Sequence, residues 1–147
     1  MRILLEKLAE LTVSERRFIA RAWLAAPAVE LGLATLGLRR TLNAIERLTP
    51  PRTSATPPTI SAERGAQLVA ASFRRHVVKG TCLPQALVQY ALHRQAGHEV
   101  TLVVGVRPPG SSSLEAHAWV EDGAAATSRD EGYEPILTRE SQRRTAA

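Results

Sequence analysis

The sequence holds one cysteine among 147 residues. That excludes an internal disulfide framework and points to a reducing compartment, the cytoplasm. Aromatic residues make up only 4%, so a core must be built from Leu, Val, Ala and Ile. The same scarcity leaves few rings to stack on bases, and no nucleic-acid motif is present. No cleavage-type ending follows Met1-Arg2-Ile3-Leu4-Leu5, so a secretory signal is not expected. The most apolar stretch, Phe18 to Leu38, is interrupted by Arg21, Pro27 and Glu30. It therefore lacks the clean run of about 18–20 apolar residues that spans a bilayer. No clustered His/Cys set suggests a metal, and no cofactor is expected. No internal repeat is evident.

The formal net charge is +5 and 44% of the residues are hydrophobic. A chain of this length suits one domain with a modest core. Its basic balance suits nucleic acid, an acidic peptide or an anionic membrane surface equally well. Three blocks follow one another. Residues 1–48 read as helical: Leu4, Leu5, Leu8 and Leu11 recur at helical spacing. Ser14 is a plausible N-cap for a second helix from about Glu15. Pro27 should end or kink that helix, and a third then runs from about Val29 to Leu48. Residues 49–60 carry Pro50, Pro51, Pro57 and Pro58, a density that reads as an extended linker. Residues 61–147 carry the chemistry. There, Ser61 opens a helix that Lys79-Gly80 should stop. Thr81-Cys82-Leu83-Pro84 opens another that runs to Gly97. Strands are expected over Glu99–Val106 and Ala116–Glu121, with a turn at Asp122-Gly123 and a short third strand at Ala124–Ala126. Packing of the N-terminal helices on the rest is expected over their lying on a membrane.

A helix start holds unpaired amides and a positive partial charge. Cys82 sits at such a start, where a thiolate is stabilised and its own amide can face an oxyanion. Among the four histidines, His76, His93 and His98 have basic neighbours and read as surface or capping groups. His117 differs. It lies in the alternating segment Glu115-Ala116-His117-Ala118-Trp119-Val120-Glu121, which puts His117, Trp119 and Glu121 on one face. An imidazole held against an indole suits a general base. A nucleophile on a helix start, then a strand, a loop and a strand bearing the base, fits the papain-like order of a helix on an antiparallel sheet. The fold class expected is α+β, with an N-terminal helical segment before that core.

The segments Thr81-Cys82-Leu83-Pro84-Gln85-Ala86-Leu87, Leu102-Val103-Val104-Gly105-Val106 and Ala116-His117-Ala118-Trp119-Val120-Glu121-Asp122-Gly123, in this order, resemble the transglutaminase-like leader peptidases of lasso-peptide biosynthesis. The N-terminal helices before a proline-rich linker are also similar to that family. The resemblance implies a cysteine peptidase that removes the leader from a ribosomally made precursor peptide, using a Cys-His-Asp triad. Cys82 and His117 map onto its first two members. Asp130 is the expected third, lying slightly late, with Asp122 as the alternative. The resemblance further implies a separate leader-recognition protein as partner, and a cyclase that receives the core peptide.

Overall fold

In the computed structural model, residues 11–50, 58–74, 82–107, 115–122 and 132–141 are described. Helix α1 (Val13–Leu48) starts at a Thr-x-x-Glu box rather than at Ser14. The Thr12 hydroxyl accepts from the Glu15 amide at 3.2 Å, and the Glu15 carboxylate accepts from the Thr12 amide at 2.8 Å. A cap at Ser14 would put Arg17, a residue with no acceptor, where the box needs a carboxylate. The helix also continues through Pro27. Pro27 is exposed, so the helical bond it removes is lost on the solvent side. The break comes at Gly37 instead, at φ 76 and ψ 170, a conformation open to glycine. Beyond the break the Thr41 hydroxyl donates to the Gly37 carbonyl at 2.8 Å. The expected helix over the first ten residues lies outside the described residues.

Helix α2 (Ala62–Phe73) is capped by Ser61, whose hydroxyl accepts from the Arg64 amide. Helix α3 (Cys82–Ala96) matches its expected span. It ends on Gly97 at φ 89, with the His98 amide bonded to the His93 carbonyl and the Gly97 amide to that of Arg94. This pair of bonds is a Schellman motif.

Strands β1 (Val100–Arg107), β2 (Glu115–Asp122) and β3 (Glu134–Glu140) form an antiparallel sheet of order β2-β1-β3. The first two strands fall where the apolar runs put them. β3, which pairs with β1 from Glu134 onward, falls where no strand was expected. Residues 124–126 lie outside the described set. β3 is largely exposed, so its residues lack the apolar run that would have marked it.

One face of the sheet, carrying Leu102, Val104 and Ala118, packs on the helices. Leu87, Val88 and Tyr90 of α3 are fully buried there, beside Val69 of α2. α1 adds Phe18, Ala22, Val29, Leu42 and Ile45 to the same core. Each large aliphatic side chain so buried contributes about 1.5–3 kcal/mol. The second half of α1 is also held by polar contacts. Arg139 of β3 forks onto the Glu46 carboxylate at 2.8 and 3.2 Å and reaches the Asn43 side-chain oxygen. The Tyr90 hydroxyl donates to Glu46 at 3.2 Å, and the buried Arg94 donates to the Thr49 carbonyl.

His93 departs from its surface reading. Helical position places it on the α3 face that meets α2 and α1, and it is 1% exposed. Its ring lies edge-on to His98 and close to Phe18. A Cβ on Gly65 would come within 2.5 Å of it, so the glycine makes the room. Neither ring nitrogen has a hydrogen-bond partner among the described residues. Burial, then the neighbouring His98, push its pKa down to about 4, with Asp122 pulling the other way. A folded-state pKa below the unfolded value of 6.5 means that the unfolded chain takes up the proton first. The stability tied to neutral His93 is complete above pH 6.5 and is lost as pH falls towards 4. The loss should approach about 3 kcal/mol. Urea denaturation at neutral pH and near pH 4.5 measures it. His93→Leu should flatten that dependence and change neutral-pH stability little, since no bond is given up.

Candidate active site

Cys82 is the first residue of α3, so its amide is one of the four that a helix start leaves without an intrahelical acceptor. Pro84, two residues on, is buried and fits the first turn, where no amide is needed. Packing of α3 across β1 and β2 brings this helix end to the sheet. The half-buried thiol donates to the carbonyl of Ala116 at 3.9 Å. Ala116 directly precedes His117, so the helix start touches the strand that carries this histidine.

His117 pairs in register with Gly105, and Trp119 with Val103. Side-chain alternation puts both on the sheet face opposite Ala118 and the helices. The His117 ring stacks on Trp119 with centroids 5.8 Å apart and planes 19° apart. The Trp119 indole N–H donates to Glu121 at 3.0 Å, so all three residues of the predicted face are linked.

Two further residues shape this face. Tyr133, just before β3, lies 5.4 Å from the His117 ring and 6.4 Å from Trp119. The Arg107 guanidinium covers the outer side of Tyr133 at 4.5 Å and pairs with Glu115 at 3.2 Å. Gly105 permits the cluster, because a Cβ there would lie 2.9 Å from the Trp119 ring and 3.1 Å from Tyr133. The sequence marks Gly105 as a glycine inside a strand, a sign of close approach. Tyr133 carries no such signal; only the β1–β3 pairing brings it to His117.

The carboxylates distribute unevenly. Asp130 lies outside the described residues. Asp122 ends β2, five residues beyond His117, which is about 16 Å along a strand. Its charge is felt instead by His93. Glu121 accepts from Trp119, and Glu115 from Arg107 and Tyr133.

Residues 19–138 match the profile of the transglutaminase-like superfamily. That span takes in α1 from Ile19, α2, α3 and most of the sheet, and the chain belongs to this superfamily. No curated protein and no solved structure matches it. The α+β architecture, with a cysteine-bearing helix on a small antiparallel sheet, is the one expected.

Gly105→Ala should displace Trp119 or Tyr133 and destabilise the fold by about 1–3 kcal/mol. Near-ultraviolet circular dichroism, which reports the packing of these rings, should lose intensity. An unchanged spectrum and denaturation midpoint would contradict the packing described.

Proposed function

Starting from membership of the transglutaminase-like superfamily, whose chemistry is acyl transfer through cysteine, we propose that this protein is a cysteine peptidase. Its substrate is a ribosomally made precursor peptide of lasso type, from which it removes the leader. The observation that carries the reading is the contact between the Cys82 thiol and the backbone at Ala116, one residue from His117. The specific substrate rests on the resemblance of the Cys-Leu-Pro and His-Ala-Trp-Val-Glu segments.

His117 is the base. The imidazole has to swing past the edge of β2, which among the described strands is paired on one side only, to meet the sulfur. His117 takes the thiol proton, and the sulfur attacks the carbonyl at the leader–core junction. The developing oxyanion faces the free amide of Cys82. The C–N bond breaks as His117 returns the proton to the leaving amine, which becomes the N-terminus of the core peptide. Water then attacks the thioester, releasing the leader acid and restoring the thiol. Trp119 and Tyr133 hold the imidazole plane and limit its contact with water. Asp130 is the proposed orienting carboxylate, since Glu115 and Glu121 are engaged elsewhere and Asp122 is distant. A leader-recognition protein delivers the peptide, and a cyclase takes the freed core.

The test is incubation with the precursor peptide and its recognition protein, read by mass spectrometry. The expected products are two fragments whose masses sum to the precursor plus one water. Cys82→Ala should abolish them with its fold retained, and His117→Ala should slow cleavage by about 10²–10⁴-fold. A product joined to an added amine would instead assign acyl transfer. Cleavage by Cys82→Ala at the normal rate would refute the assignment.

A further inference from the structure

Helix α1 has two dissimilar sides. Phe18, Ala22, Ala26 and Val29 face the core. Half a turn away, on the opposite side of the same helix, Leu24 and Leu31 are 77% and 65% exposed, with Trp23 beside them. Pro27 and Ala28, also exposed, lie between these leucines. Against the expectation from Pro27 and Glu30, α1 contains a stretch long and apolar enough to cross a bilayer by length and composition. Spanning is not open to it while its other side fills the core, but lying on a surface is.

Charge on α1 is divided as sharply. Its six arginines, Arg16, Arg17, Arg21, Arg39, Arg40 and Arg47, are all exposed, whereas its three acids, Glu15, Glu30 and Glu46, are all partly buried. Glu15 and Glu46 are further paired with Arg64 and Arg139. Up to the break at Gly37, the outer side therefore offers apolar groups with only positive charge, Arg17 and Arg21, towards its N-terminal end. That is the pattern of a helix lying in the plane of an anionic bilayer, with aliphatic groups among the acyl chains and arginines at the headgroups.

We infer that the outer side of α1 seats the protein on an anionic membrane surface. The stretch before Gly37 lies parallel to the bilayer, with Leu24 and Leu31 inserted and Arg17 and Arg21 on lipid phosphates. The inference is independent of the peptidase reading.

The full chain is sedimented with vesicles of phosphatidylcholine alone and with phosphatidylglycerol added. Binding should require phosphatidylglycerol and weaken as salt rises. The double variant Leu24→Gln, Leu31→Gln should lower the partition coefficient at least tenfold. Arg17→Gln with Arg21→Gln should lower it by about fivefold per arginine. All four side chains are exposed, and circular dichroism verifies that the variants fold. No binding to phosphatidylglycerol vesicles, or equal binding by the leucine variant, would overturn the inference. So would a dimer in sedimentation velocity that the leucine variant dissolves, because a second copy would then own this side.

Discussion

Burying a helix that is apolar around most of its circumference requires neighbours on several sides at once. α3 is such a helix. Leu83, Ala86, Leu87, Val88, Tyr90, Ala91 and Leu92 point in directions that cover well over half a turn, and all but Leu83 are buried. α1 and α2 cover one part and the sheet another. Had α3 been amphipathic in the ordinary way, one layer would have sufficed and its start could have faced open solvent. Enclosure on several sides instead brings Cys82 against the edge of β2. The position of the thiol is thus a result of burying Leu87 and Tyr90 rather than of any bond made by the sulfur.

The opposite face of the sheet obeys a different constraint. It has no helix over it among the described elements, yet Val103 is nearly fully buried. The cover comes from side chains of the sheet itself, with Trp119 paired across from Val103 and Tyr133 reaching over from β3. Both rings need the space that Gly105 leaves. His117 is placed within this aromatic patch, where its plane is set by stacking. Ring and thiol therefore lie on different sides of one sheet, with the edge of β2 between them.

Much of this was legible from residue order alone. Apolar runs marked the spans of β1 and β2, and period-two alternation the shared face of His117, Trp119 and Glu121, because both are local properties of the chain. The start and end of α3 were legible for the same reason: Pro84 and Gly97 are punctuation that any neighbour can read. What was misplaced depended on distant partners. The cap of α1 went to Thr12 because a carboxylate three residues on completed it. Pro27 was absorbed because it landed on the solvent side, a fact fixed by tertiary packing. β3 lacks a buried face of its own and is specified chiefly by pairing with β1. His93 looked like a polar residue among polar residues, and only the convergence of Phe18, Gly65 and His98 shows that it is enclosed.

The far end of α3 bears on the near one. Arg94 is about 18 Å along the helix from Cys82 at 1.5 Å per residue. There the helix is tied by the Arg94–Thr49 bond, by Tyr90 on Glu46, and by the Schellman bonds at Gly97. Through Arg139, Glu46 joins that cluster to β3, the strand that follows Tyr133. A helix is stiff on this length scale, so a shift at the anchored end is carried to the thiol with little loss. The same anchor sets the approach of β3 and hence of Tyr133 to His117. One polar cluster thus sets the position of Cys82 along its helix and the packing of His117 across the sheet.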